Sequence, residues 1–230
     1  MPDPLSAWQL IVSGDAALFA IVQLSLLVSL SAVVLAALFG MPLGALLALI
    51  RFPGRPILVV LLNALMGLPP VVVGLAVYLL LSRSGPLGEM GILFTPSAMV
   101  IAQTILIVPI IAALTRQTVE DLWREYNDEL TAMDVGPFGR MTTLLWDARF
   151  SLITALLAGF GRAAAEVGAV MIVGGNIDGF TRTMTTTIAL ETSKGNLPLA
   201  MGLGLILVAI VIAINAALWG TRRWADRQVG

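Results

Sequence analysis

Long charge-free stretches set the pattern of this chain. No charged side chain occurs from Ala16 to Ile50, from Pro56 to Ser82, from Thr95 to Thr115 or from Pro198 to Thr221. A further stretch, Phe150 to Val173, is interrupted only by Arg162 and Glu166. About 20 apolar helical residues cross a bilayer core. The pattern therefore predicts an all-α membrane protein with five spans, over 16–40, 56–82, 95–115, 150–173 and 198–221, in a single domain covering residues 1–230. The first stretch is longer than one span needs. Gly40-Met41-Pro42 lies within it, and proline removes a helix hydrogen bond and bends the axis. The expectation is one long span whose continuation bends toward the cytoplasm; a hairpin of two short spans, giving six in all, is the alternative. The short alternating segments of a β-barrel are not seen. Residues 1–15 carry Asp3 and Asp15, no base and no signal-peptide pattern, and Leu5 to Ile11 reads as an interfacial segment.

The basic residues orient these spans. With five spans and the N-terminus outside, Arg51, Arg55, Arg116, Arg124, Arg140, Arg149, Arg222, Arg223 and Arg227 face the cytoplasm, as does the C-terminus. Arg83, Arg182 and Lys194 then face outward. The hairpin alternative moves the N-terminus inside, where it adds no basic residue.

Composition agrees with a bilayer environment. Apolar residues make up 58% and charged residues 12%, with a mean hydropathy of +0.96. A soluble domain is about 45–50% apolar and about 25% charged, and 230 residues cannot bury so much apolar surface in a water-soluble core. The chain has no cysteine and no histidine, which excludes disulfides, thiolate or imidazole metal sites and Cys or His nucleophiles. No catalytic or metal-ligating residue is predicted. Lys194 is the single lysine and no phosphate-binding G-x-x-x-x-G-K-[S/T] loop occurs, so this chain does not hydrolyse ATP itself. A net charge of −1 gives no reason to expect nucleic acid as a partner.

Residues 116–149 form the longest charged stretch. Leu122, Tyr126, Leu130 and Met133 recur at helical spacing, and Gly136-Pro137 reads as the stop, glycine just past a helix end and proline after it. A second short amphipathic helix follows over about 138–146. Two short cytoplasmic helices joined by glycine suit a docking element for a partner protein; a solvated connector is the alternative reading.

Here the sequence resembles the permease subunits of ABC importers, in the molybdate, tungstate and sulfate branch. Such permeases carry a cytoplasmic Glu-Ala-Ala-x-x-x-Gly motif that sits in a cleft of the ATPase subunit. With its glycine at Gly136, Leu130-Thr131-Ala132 stands where Glu-Ala-Ala is expected; Ala132 and Gly136 match, and Glu129 lies one residue early. The family often has Leu-Pro after this loop, whereas here Trp146 follows Leu145. Further on, Arg162-Ala163-Ala164-Ala165-Glu166-Val167-Gly168-Ala169 is similar to the Arg-x-x-Gly-Glu-Phe-Gly-Ala stretch of molybdate permeases. Gly174-Gly175-Asn176 and Thr181-Arg182-Thr183 follow at family spacing, and Pro69-Pro70-Val71-Val72-Val73-Gly74-Leu75 resembles the family's Pro-Pro-x-x-x-Gly-Leu span. The resemblance covers about residues 20–220. The runs Glu166–Ile177 and Thr183–Gly195 look most like tungstate-uptake permeases.

Each candidate residue has a structural reading beside the functional one. Pro69 and Pro70 break a span and free backbone carbonyls, which suits either a substrate path or a kink satisfied by neighbouring helices. Arg162 and Glu166, four apart, are expected on one helix face as a neutralising pair: a gate or pathway pair, or one that fixes packing. An oxyanion is attracted to Arg162 only if Glu166 is engaged elsewhere. In the outer segment 174–197, Asn176, Thr181, Arg182, Thr183, Thr185, Thr186, Thr187, Thr192 and Lys194 offer donors to a tetrahedral oxyanion. Docking of an external binding protein, or an ordinary polar re-entrant segment, are the alternatives; Arg83, Ser84, Gly85, Pro86 and Glu89 of the other outer loop share the docking reading. Asn63 and Gln103-Thr104 read as interhelical glue. Trp219 and Trp224 read as interface anchors, and the methionines as packing.

The resemblance implies a permease that works as a homodimer in the cell membrane and docks one ATPase subunit per copy through residues about 124–146. Glu129, Leu130, Thr131, Ala132, Gly136 and Arg140 are the expected coupling residues. It implies no cofactor in this chain, with ATP and magnesium on the partner, and an external oxyanion-binding protein that delivers the substrate. Tungstate is the expected cargo, with molybdate or sulfate as alternatives. An ion-coupled secondary transporter is the rival from another class; it would normally carry more embedded ionisable groups than Arg162 and Glu166.

Overall fold

A computed structural model describes residues 16–229; for Leu218, Trp219 and 221–229 it describes the backbone alone. The proposed interfacial segment at Leu5 to Ile11, and the side chains of Trp219, Trp224 and the C-terminal arginines, lie outside the described residues. Among these residues there are nine α-helices and no strand: α1 Ala16–Leu49, α2 Arg55–Leu65, α3 Pro70–Leu81, α4 Pro96–Ala132, α5 Pro137–Asp147, α6 Arg149–Ala164, α7 Gly168–Gly174, α8 Met184–Ser193 and α9 Leu197–Val229. A short 3-10 turn, Gly88–Met90, precedes α4.

Three helices, Ala16–Leu49, Pro96–Ala132 and Leu197–Ala217, are long and apolar enough to cross a membrane, and five spans result if two bent helix pairs each count as one. The fold is an all-helical membrane bundle. Its side chains bear this out: Phe19, Val34 and Leu38 on α1 and Met201 and Ile212 on α9 are more than 60% exposed, a pattern that only lipid or another apolar surface accommodates.

The first stretch is one long helix of 34 residues that continues past Gly40 with Pro42 inside, the expected single span and not the alternative hairpin. Two elements differ from expectation. The third span and the first docking helix are one helix of 37 residues, α4, because nothing in the backbone stops it where the apolar run gives way to charge at Arg116. The fourth predicted span is instead broken at residues 165–167 into α6 and α7.

The described residues fall into two compact units. One comprises residues up to Ala32, Pro69–Gln103 and Gly161 onward. Within it a Cβ on Gly74 would lie 2.7 Å from the Ala169 Cα, so α3 and α7 touch backbone to backbone. Phe94 N–H donates to the Val173 carbonyl (2.9 Å), and Gln103 Nε2 donates to the Ala163 carbonyl (3.1 Å), the interhelical link expected of it. The other unit comprises Val33–Leu68 and Thr104–Phe160. There Gly44 meets α4 so closely that a Cβ would fall 2.4 Å from the Ala112 carbonyl oxygen. Ala45 and Ala48 of α1, Val119 and Leu130 of α4 and Leu144 of α5 form its buried core.

Candidate translocation and docking sites

The sequence Leu68-Pro69-Pro70 breaks the chain between α2 and α3. Pro70 has no N–H to donate and occupies the first turn of α3, where none is needed. The Pro69 carbonyl accepts from Val72 and Val73, so the new helix starts cleanly. Met66, Gly67 and Leu68 close the preceding turn on the carbonyls of Asn63, Ala64 and Leu65. Pro69 is exposed and Pro70 half-buried.

Gly168, at the start of α7, abuts the start of α3: a Cβ there would lie 3.0 Å from Val71 Cγ2. Glu166 sits in the break before it, buried to 3% exposure. One of its oxygens accepts from Arg162 Nη1 at 2.5 Å; the other accepts from the Ala169 N–H at 3.0 Å, capping the first turn of α7. Its backbone carbonyl accepts from Thr185 Oγ1 at 2.8 Å. The pair expected on one helix face therefore forms with Glu166 just beyond the helix end, and the carboxylate's second hydrogen bond explains the break. Arg162 is less enclosed, with its side chain 27% exposed. Glu166 therefore neutralises Arg162 directly, while its second oxygen serves the start of α7.

The segment 174–197, expected to face outward, is built from its own polar groups. Asn176 and the glycines Gly175 and Gly179 take positive φ values, 50°, 70° and 69°. Thr181 Oγ1 donates to the Gly174 carbonyl (2.5 Å) and accepts from the Ile177 N–H (2.9 Å). Thr183 and Thr186 form a reciprocal capping box at the start of α8, and Thr187 Oγ1 donates to the Thr183 carbonyl (2.6 Å). Ser25 Oγ accepts from the Met184 N–H (2.8 Å), which fastens α1 to α8. Arg182 pairs with Asp178 (2.8 Å), while its Nε and the Asn176 Oδ1 are buried without a partner. Glu191 holds Lys194 and Asn196, each at 2.9 Å, across the turn into α9. These two hydrogen bonds, Lys194's foremost, hold its carboxyl below the ordinary range. From the sequence Lys194 stood out here only as a donor for an anion; Glu191 and Asn196, which hold it in the turn, were missed, although Glu, Lys and Asn within six residues were the signal.

At the docking segment the balance is reversed. Leu130 is buried, whereas Glu129, Thr131 and Ala132 are exposed. The left-handed residue at the turn is Asp134, φ 51°. Gly136 is extended, with φ −67° and ψ 164°, and a Cβ added to it would meet open space. The expected sharp turn at Gly136 therefore lies two residues earlier. Arg140 is committed to this turn: Nε donates to the Val135 carbonyl at 2.7 Å, and its guanidinium lies 5.2 Å from the Trp123 ring centroid. α5, expected over about 138–146, spans Pro137–Asp147 and meets α6 at a 75° bend. Leu144 is fully buried, while Phe138 and Trp146 are 74% and 69% exposed.

Comparison with known proteins decides the family. Residues 40–230 match the binding-protein-dependent transport system inner membrane component family. The chain belongs to that family. It is 41% identical to a probable anion ABC transporter permease protein of Haloferax volcanii, over 93% of both chains. It is 39% identical to a tungstate uptake system permease protein of Peptoclostridium acidaminophilum, over 93% of this chain and 94% of the relative. A tungstate uptake system permease protein of Campylobacter jejuni is 37% identical over 90% and 86%, and sulfate transport permeases are more distant. The importer-permease resemblance read from Pro69-Pro70, Arg162–Ala169 and the docking segment is thereby confirmed, and the chain is a multi-pass membrane transport subunit.

Proposed function

We propose that this permease carries a tetrahedral oxyanion inward, tungstate foremost, as the membrane half of an ATP-driven importer. The observation that carries this reading is similarity to tungstate uptake permeases along nearly the whole chain. Two copies form the pore, since an ABC importer needs two transmembrane halves. An ATPase subunit, which holds ATP and magnesium, docks on each copy around α5, and an external binding protein delivers the anion. The N-terminus lies outside and the C-terminus in the cytoplasm.

In this reading the docking contact is the exposed apolar side of the turn and α5, with Met133, Phe138 and Trp146 as anchors and Glu129 at the rim. Leu130 and Arg140 shape the turn from behind, and Thr131, Ala132 and Gly136 lie on its exposed surface. Arg162 is the cation that a passing oxyanion meets beside the Pro69-Pro70 break. Glu166, held by Arg162 and by α7, keeps that encounter weak, and an ion that must leave again requires weak binding. Asn176, Thr181, Arg182 and Thr183 shape the outer mouth.

Cellular tungsten and molybdenum, measured by elemental analysis with and without the gene at low external concentrations of both anions, test the cargo. Loss of tungsten alone is the expected result. Equal loss of both metals would retire the specificity, and no change in either would overturn tungstate as cargo and point to sulfate, a redundant importer or another transporter class.

A further inference from the structure

A three-residue ionic cluster in the second unit has no part in the sites above. Gly54, with φ 93°, turns the chain after α1 so that Arg55 becomes the first residue of α2. Arg55 Nε donates to the Leu47 carbonyl at the end of α1 (2.7 Å), where helix carbonyls lack intrahelical donors and favour a cation. Its Nη2 donates to Glu120 Oε1 on α4 (3.1 Å). The other Glu120 oxygen accepts from Arg116, one turn back on α4. Both carboxylate oxygens are thus used, and the cluster joins α1, α2 and α4.

An exposed ion pair contributes little. This one is more enclosed, with side-chain exposures of 24% for Arg55 and Glu120 and 17% for Arg116. Arg116 Nε is also buried without a partner, so removal of the Glu120 charge leaves two guanidiniums uncompensated.

Position gives the cluster its meaning. Beyond Glu120, α4 continues through Trp123, Tyr126 and Leu130, which pack with Leu144 of α5 and with the end of α1. Beyond Arg55, α2 leads within four residues of its end to the Pro69-Pro70 break. The docking helix is therefore packed on α1 and α4; Glu120 is the ionic contact that ties α4 to the start of α2, and Arg55 in turn ties α2 to the end of α1.

We propose that Glu120 is a positioning residue for transport, the joint through which displacement of the docking helix reaches α2 and the broken span. This rests on the ATP-driven importer reading above. Tungstate uptake and ATP hydrolysis by the complete importer in proteoliposomes test it, for wild type, Glu120→Gln, Arg55→Met and the double variant. Each single variant should lower anion transported per ATP hydrolysed about fivefold or more, as typical coupling energies imply. The double variant should be no worse than either single one, because both cut the same link. A cluster that merely stabilises the fold would lower the amount of assembled importer and leave that ratio at the wild-type value; this result, or additive losses, would overturn the proposal. Glu120→Asp, whose shorter carboxylate cannot bridge both arginines, replaces Glu120→Gln should the latter fail to assemble. Wild-type importer with no ATP-driven uptake would instead overturn the importer reading, and the joint with it.

Discussion

The docking turn with α5 and the segment from Arg162 to Glu191 invert the usual arrangement in opposite ways. Around α5 large apolar side chains point outward, with Met133 and Phe138 both 74% exposed. From Arg162 to Glu191 polar side chains point inward: Glu166, Thr181, Thr183, Thr186, Thr187 and Glu191 are all buried. Outward apolar groups leave hydrophobic free energy unspent until a second surface covers them. The six inward polar side chains are tolerated because each finds a partner within the chain, although Asn176 Oδ1 and Arg182 Nε in the same region are buried without one. In the proposed reading, the ATPase subunit is what covers the first region. The second is a self-consistent scaffold whose hydrogen bonds set the path of the backbone.

The sharpest way to break this contrast is Glu166→Ala. The substitution leaves Arg162 and the Ala169 N–H without their acceptor, and loss of one partner of a buried pair costs about 3 kcal/mol or more. Thermal unfolding of the purified permease in nanodiscs should show a large loss of stability. A melting temperature equal to wild type would mean that the polar interior does not hold the α6–α7 break. Phe138→Ser should act in the opposite sense. Its side chain is mostly exposed in the isolated chain, so stability should change by less than about 0.5 kcal/mol. Association with the ATPase should weaken by about 2 kcal/mol, the scale of a buried aromatic anchor. Unfolding and co-purification measured on the same preparation separate the two effects, and a stability loss with intact association would reverse the roles assigned to the two regions.

Much of the architecture was legible because lipid imposes a simple rule on composition. Charge-free runs located α1, α3, α4 and α9, and an amphipathic run flanked by glycine located α5 to within a residue at each end. Two features escaped. The end of an apolar run marks where the solvent changes, not where a helix stops, so α4 continues through Arg116 into the docking segment. The break at residues 165–167 depends on Glu166 reaching the Ala169 N–H and on α3 meeting α7 at Gly74, and contacts distant in sequence leave no local signature. Residue chemistry was legible in type more than in use. Six threonines in an outer segment suggested donors for an anion, yet Thr181, Thr183, Thr186 and Thr187 direct their hydroxyls to the backbone and to one another. Pairing of Arg162 with Glu166 followed from spacing alone; the second bond of Glu166 did not.

The smallest expected effect concerns the turn between α8 and α9, where the contrast is sharpened by pH. Glu191 is buried and accepts from Lys194 and Asn196, and these bonds lower its pKa. A carboxyl whose folded pKa is depressed contributes stability that is present above its unfolded value, about 4.3. That contribution is lost as pH falls through the lower folded value. The Lys194 side chain is 53% exposed, so solvent screening keeps the contribution under about 1 kcal/mol. Wild type should melt slightly above Glu191→Gln at pH 7, and the gap should narrow as pH drops below 4.3, because protonated glutamic acid and glutamine then offer similar hydrogen bonding. Phe138→Ser, whose change lies at an uncharged surface, should show no such pH-dependent gap against wild type. A gap for Glu191→Gln that stays constant across this range would mean that packing of the side chain, not its charge, holds the turn.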